Sequence, residues 1–279
     1  MDKQLENSIV GHFKTNFEKD LFKAAIANID DYNNVLSLNN FSYAIRELVR
    51  NFLNRIAPDK QVKGAPWYTP FINQDGKESI TRKHRMHYAI HGWLTEEFLK
   101  NKLSLDVADS IDDLNTSINN MSKFTHINVE TFNIPGATKT MESLGMLSDL
   151  LRFLMDIEEC KGKVRNAIIT DFSERIGNSF SIETFDDIDI LSTHSSIEDF
   201  GIEGYTLKEL GETIEVEAYG HVHTRLQIGS NSDLLRDDGF VSYMDFPFTA
   251  TCVADIHNVS GDIQYSDPEI LIDTDKYFH

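Results

Sequence analysis

Near residue 210 the spacing of apolar residues changes from three-and-four to two, and a chain with both periods must join helices to a sheet. In the first half Phe13, Phe17, Leu21 and Ala24 or Ala25 recur at helical intervals, and Phe41, Ile45, Leu48, Phe52 and Ile56 trace a second apolar stripe. Ser37 or Asn39 is placed to cap that second helix, and Ala57-Pro58-Asp59 to end it. A third helix is expected from about Ile80 to Asn101, weakened or divided at Gly92. A fourth follows from about Leu105 through Val107, Ile111, Leu114, Ile118 and Met121. Between the second and third, Pro66, Trp67, Tyr68, Pro70 and Phe71 read as a loop pinned by aromatics, with Asp75-Gly76 as a turn. Four helices of this length predict an antiparallel bundle over residues 1–134.

Pro135-Gly136 offers a break, after which Leu144, Leu147, Leu151, Leu154 and Met155 return to helical spacing, as do Val164, Ile168 and Phe172. Period two then takes over. Ile214, Val216, Ala218, Val222, Leu226 and Ile228 share one parity, and Glu215, Glu217, Tyr219, His221, His223, Arg225 and Gln227 the other, which predicts a half-buried strand or one bent at Gly220. Gly229 to Asp233 and Asp237-Asp-Gly239 read as turns, Phe240 to Val253 as a strand interrupted at Pro247, and Ile263 or Ile270 as short additions. The expected class is α+β, with an N-terminal antiparallel helical bundle followed, over residues 135–279, by an α+β domain with an antiparallel sheet.

Charge narrows the function. The chain has 26 basic and 45 acidic residues and a formal charge of -19, and residues 131–279 hold 10 of the former and 28 of the latter. Such a field opposes nonspecific coating of a duplex. Residues 41–100 run the other way, with 10 basic and 6 acidic side chains, so a local cleft can still receive a phosphodiester. The opening Met1-Asp-Lys-Gln-Leu-Glu6 is polar and no apolar run approaches a bilayer's thickness, so no membrane association is expected. Cys160 and Cys252 are far apart and without neighbouring ligand cysteines, which places the chain by expectation in a reducing cytoplasm.

Proton carriers and phosphate binders concentrate in Thr81-Arg-Lys-His-Arg-Met-His-Tyr-Ala-Ile-His-Gly92. Arginine neutralises charge growing on a pentacoordinate phosphate, and histidine takes a 2′-hydroxyl proton or donates one to the leaving oxygen, so ribonucleolytic transesterification without metal or other cofactor fits these residue types. Arg82, Arg85, His87, His91 and His126 are the candidate catalytic residues, with Arg46, Arg50 and Lys83 as phosphate binders. An antiparallel bundle can carry His126, beside Ser122 and Thr125 at the end of the fourth helix, to Arg82 or Arg85. A weaker alternative is a metal held by His221 and His223, whose side chains share a strand face, with Asp245 and His257 as further contributors. Asp233, Asp237 and Asp238 offer a cation site or simply turn chemistry.

Phe41-Ser-Tyr-Ala-Ile-Arg-Glu-Leu48, the Ala57-Pro58 break, Arg82 to Gly92, Ser122-Lys-Phe-Thr-His126, Leu191-Ser-Thr-His194 and Gly229-Ser-Asn-Ser-Asp233 together resemble a family of predicted nucleases associated with prokaryotic Piwi proteins. The helical half also resembles the higher-eukaryote-and-prokaryote nucleotide-binding helical superfamily, whose ribonucleases carry an arginine and a histidine with four to six residues between them. Arg82 with His87 fits the shorter spacing and Arg85 with His91 the longer, with Lys83 and Met86 directly after each arginine. The resemblance implies an endoribonuclease effector of antiviral defence, acting as a homo-oligomer that composes one cleft from two copies, with a defence-system protein as partner. The acidic domain would then be regulatory or dimerising. A noncatalytic sensor or scaffold, and a metal nuclease built on the C-terminal half, are the competing readings.

Overall fold

The computed structural model describes residues 3–31, 33–182, 184–208, 213–255 and 264–278. The chain divides into two compact units, Met1–Val164 and Arg165–His279, and the division falls inside one helix of 47 residues, Gly136–Ile182.

The first unit opens with α1 (Lys3–Gly11) and α2 (Asn16–Asp30). A reciprocal cap starts α2: Thr15 Oγ1 accepts from the Glu18 amide at 3.1 Å, and Glu18 Oε2 accepts from the Thr15 amide at 3.2 Å. Glu18 Oε1 also accepts from Arg55 Nε at 2.7 Å, which turns Glu18 inward. The buried stripe of α2 therefore runs through Glu18, Phe22, Ala25 and Ile29; of the expected Phe13, Phe17, Leu21 and Ala24 or Ala25, Phe13 and Ala25 are buried, Leu21 is half-buried and Phe17 is exposed.

On α3 (Ser37–Ile56) the spacing holds, with Phe41, Ile45, Leu48 and Phe52 buried. The expected caps do not. Leu36 precedes the helix without a side-chain cap, Ser37 Oγ has no hydrogen-bond partner, and Asn39 Nδ2 donates to the Phe124 carbonyl at 2.9 Å. A short α4 (Asp59–Gly64) follows Pro58, then a hairpin of β1 (Phe71–Ile72) and β2 (Glu78–Ser79) around Gly76, whose φ of 74° suits the turn. The expected third helix is two: α5 (Arg82–His91) and α6 (Glu96–Lys102) divide at Gly92, at φ 60°, a conformation that a side chain at this position would oppose. Trp67 Nε1 donates to the Gly92 carbonyl at 2.8 Å and pins the break. Then come α7 (Ala108–Met121) and the long α8 (Gly136–Ile182). Pro135-Gly136 does begin a helix, but its first half packs with the helices before it. Phe153 and Phe52 rings lie 6.2 Å apart, and Lys139 Nζ donates to the Asn34 carbonyl at 3.1 Å.

The second unit contains the rest of α8, α9 (Asp186–Asp189), and strands β3 (His194–Leu207) and β4 (Thr213–Ile228). It continues with α10 (Asn231–Leu234), β5 (Phe240–Asp255), β6 (Gln264–Tyr265) and β7 (Glu269–Ile272). The sheet is antiparallel throughout, in the order β3-β4-β5-β6, with β7 also on β5. Helices followed by an antiparallel sheet give the expected α+β class. The predicted parity of β4 holds, since Ile214, Val216, Ala218, Val222 and Leu226 are buried. Ala218, Val222 and Leu226 join Phe246, Phe248 and Ala250 of β5 in a core closed by Ile176 and Phe180 of α8.

Two readings of the sheet are corrected. Pro247 does not interrupt β5: it faces His221 in register, and its carbonyl accepts from the Asp273 amide at 2.9 Å. Strand β3 is an addition the spacing did not predict, because bulges between Ile197 and Asp199 and between Ile202 and Gly204 break its period-two pattern.

Candidate functional site

The first cleft is made by the end of α7 lying against the start of α3. Asn39 Nδ2 donates to the Phe124 carbonyl at 2.9 Å, and Ser42 Oγ to the Met121 carbonyl at 2.7 Å, so two side chains of α3 satisfy a carbonyl at the end of α7 and one in the turn that follows it. Beyond Met121 the chain is held in a tight turn, with Ser122 Oγ donating to the Ile118 carbonyl and Thr125 Oγ1 to the Ser122 carbonyl, each at 2.8 Å. Thr131 Oγ1 donates to the His126 carbonyl at 2.9 Å. These bonds place His126 beside the next turns of α3, which carry Arg46 and Arg50. From the other side Arg82, the first residue of α5, reaches α7, its Nη2 donating to Asn119 Oδ1 at 3.3 Å.

The result is a cleft of about 470 Å³ lined by Arg46, Val49, Arg50, Arg82, Ile118, Ser122, Thr125 and His126. Its charge is only partly compensated. Arg50 pairs with Glu47 at 2.6 Å, whereas Arg82 bonds the neutral Asn119, and among the described residues Arg46 has no acidic partner. Burial and then the like charge of Arg46 hold the Arg82 guanidinium below the usual arginine range. A phosphate between the two arginines relieves that repulsion and takes bidentate hydrogen bonds as well. His126 is exposed at the rim, within the same lining.

The other candidates on α5 go elsewhere. Five residues turn the helix through about 500° and six through about 600°, so Arg82 and His87 point about 140° apart and Arg85 and His91 about 120° apart. Arg85 Nη1 donates to the Ala57 carbonyl and Nη2 to Asp59 Oδ1, both at 2.6 Å, fastening the α3–α4 junction. Lys83 Nζ pairs with Asp112 at 2.8 Å. Neither arginine–histidine pair of the sequence reading lines one site, because helical rotation separates its members.

His87 and His91, one turn apart, face a second cavity of about 290 Å³ lined by Trp67, Thr69, His84, His87, His91 and Glu96. Nδ1 of His87 lies 3.2 Å from Nε2 of His91 and 3.1 Å from Oε1 of Glu96. The Trp67 ring forms a wall 5.7 Å from His87 and 5.5 Å from His91. Burial, then Lys83 and His84, push the His87 pKa down to about 4, and burial, then His87, push His91 down to about 3. Both rings are therefore neutral at pH 7 and present lone pairs. One atom of each of His87, His91 and Glu96 lies within 4.8 Å of the others, a grouping that metal ions use. Glu96 was absent from the sequence reading. The His87-x3-His91 spacing was the signal for it, since two imidazoles on one helical face call for a third ligand from the next element.

On β4 the histidines are separately engaged: His221 Nδ1 with Glu203 Oε1 and His223 Nδ1 with Asp245 Oδ1, each at 2.7 Å. They do not converge on one point, and His257 lies outside the described residues. Asp233 is spent locally, its Oδ2 accepting from the Ser230 amide and hydroxyl at 2.8 and 2.7 Å in the cap of α10. Cys160 and Cys252 are buried and unbridged, and no helix among the described residues is long and apolar enough to cross a membrane.

Residues 11–154 match one family model and residues 157–278 a second, both described as predicted pPIWI-associating nuclease. No curated protein and no solved structure matches the chain. The two models between them span both units, the arginine-lined cleft within the first, and the chain belongs to the family of predicted pPIWI-associating nucleases.

Proposed function

We propose that the chain is a metal-independent endoribonuclease whose scissile phosphodiester is received in the cleft of Arg46, Arg82 and His126. The observation that carries this reading is the convergence of these three residues, from α3, α5 and the segment after α7, on one cavity with two arginines that have no carboxylate partner among the described residues. Arg46 and Arg82 neutralise the charge that develops on the pentacoordinate phosphate. His126 takes the 2′-hydroxyl proton, which makes the adjacent oxygen the nucleophile and defines RNA as the substrate. Ser122 and Thr125 fix the turn from which the imidazole projects. Arg50, already paired with Glu47, contributes to the approach of the strand.

Arg85, His87 and His91, catalytic candidates by residue type, have other roles in this proposal. Arg85 fastens the backbone, and the two histidines belong to a different cavity. Arginine–histidine spacing of the helical superfamily type is present in α5, but the working histidine of the proposed cleft is His126. A homo-oligomer that apposes two clefts would supply a second His126 to protonate the leaving oxygen. The family's association with Piwi proteins supports a role as effector of prokaryotic antiviral defence, with a Piwi-type protein as partner and the acidic second unit as its regulatory or dimerising part.

The test is cleavage of single-stranded RNA by the purified full-length chain in excess EDTA. Turnover lost in His126→Ala and Arg82→Ala, with circular dichroism unchanged, supports the proposal. RNA binding without turnover in the wild type supports the sensor reading instead, and turnover only with added divalent ion overturns metal independence.

A further inference from the structure

We infer that His87, His91 and Glu96 form a binding site for a zinc-class transition-metal ion, separate from the arginine-lined cleft. The argument begins with local structure. His87 and His91 are i and i+4 on α5, so their rings lie along one face and meet edge to face, centroids 5.4 Å apart. Gly92 then reverses the chain, and Thr95 starts α6 by accepting from the Phe98 amide at 3.1 Å. Glu96, the first residue of α6, is thereby returned to the histidine face. The bond from Trp67 Nε1 to the Gly92 carbonyl fixes this reversal.

The spacing of the ligand atoms matches a metal better than a proton. Ligand atoms about 2.0–2.1 Å from a tetrahedral zinc stand about 3.3 Å from one another. Nδ1 of His87 is 3.2 Å from Nε2 of His91 and 3.1 Å from Oε1 of Glu96, and all three ligand atoms fall within 4.8 Å. Hydrogen bonding satisfies this group poorly. Nδ1 of His87 lies within reach of both the Glu96 carboxylate and Nε2 of His91, and as a single nitrogen it carries at most one proton to share between them. A single cation between them engages all three lone pairs together.

His91 adds a second observation. The residue is 1 % exposed, and among the described residues its Nδ1 has no hydrogen-bond partner of good geometry. Nε2, the nitrogen that faces His87, is the ligand atom His91 offers to the cluster. Two imidazoles and one carboxylate select zinc, cobalt or nickel over magnesium or calcium, which require oxygen ligands. Three protein ligands leave a fourth position, open to the cavity bounded by Trp67, Thr69 and His84.

The experiment is titration of the EDTA-stripped and dialysed full-length protein with Co²⁺, followed through its visible d–d absorption, and with Zn²⁺ in competition with a chromophoric chelator. One Co²⁺ per chain with the intense bands of four-coordination is expected, displaced by Zn²⁺. Glu96→Gln and His87→Ala, both at side chains that are not fully buried, should lower affinity ~100-fold while circular dichroism stays native. Absence of binding to the wild type, or variants that bind as the wild type does, overturns the proposal. The readout does not depend on RNA cleavage, so this site and the arginine cleft stand or fall separately.

Discussion

Arg46 of α3 and Arg82 of α5 line the same cleft, and the charge of Arg46 adds to burial in holding Arg82 below the ordinary arginine range. Two like charges held together without an acid between them favour an anion. Arg82→Ala should therefore reduce RNA cleavage ~10²–10³-fold, and His126→Ala ~10²–10⁴-fold. Arg82→Lys should recover only part of the loss, because a point charge does not reproduce the guanidinium fork. Single-turnover kinetics in EDTA measure each value. Full activity in Arg82→Ala would remove the cleft from consideration.

Arg85 gives the opposite expectation, one turn along the same helix. Its two 2.6 Å bonds, to the Ala57 carbonyl and Asp59, are structural. Arg85→Ala should cost about 1.5–3 kcal/mol of stability, as expected for hydrogen bonds to a partly buried charge. RNA affinity of the folded fraction should be unchanged. Denaturant unfolding combined with a binding titration separates the two effects.

Glu18 makes the first unit sensitive to acid. Burial alone would raise its carboxyl, but hydrogen bonds from Arg55, Thr15 and Lys14 outweigh burial and leave the pKa below the ordinary 4.5. A folded pKa below the unfolded one means that the stabilisation is complete above about pH 4.5 and is lost as pH falls through the folded value. Glu18→Gln should flatten this part of the stability profile, at a cost near neutrality of about 1–3 kcal/mol. Thermal unfolding from pH 3 to pH 7 compares the two slopes, and parallel profiles would count against the assignment.

Gly220 allows β4 to approach β3. A methyl group there would stand 1.9 Å from the Gly201 carbonyl oxygen and 2.9 Å from Ile202 Cα, both backbone atoms. Gly220→Ala should destabilise the sheet by roughly 4 kcal/mol or more. Hydrogen exchange of the β3 and β4 amides reports it, and undiminished protection would show that the strands shift at little cost.

Much of the fold was legible locally. The stripe Phe41, Ile45, Leu48 and Phe52 and the parity of Ile214 to Leu226 predicted which faces would be buried, since burial of one face imposes its period on the sequence. The division at Gly92 was legible too, from the conformation a glycine permits. Strand β3 was not, because two bulges shift its parity midway. Nor was the inward turn of Glu18, which depends on Arg55, 37 residues away.

The candidate site divides in the same way. Composition marks residues 81–92 as a concentration of arginine and histidine, and the expected antiparallel packing of helices carries His126 toward Arg82 or Arg85, with Arg46 among the phosphate binders. Spacing along one helix then paired Arg82 with His87 and Arg85 with His91, and those pairs do not share a cavity. The sequence determined which residues carry charge and protons and which faces of each helix are apolar. Tertiary structure decided the partners. Arg82 meets Arg46 and His126 because Asn39 and Ser42 hold the end of α7 against α3, and His91 meets Glu96 because the chain reverses at Gly92. Side chains five or six residues apart on a helix diverge by about 140° or about 120°, whereas packing brings together residues from any part of the chain whose faces are buried against one another.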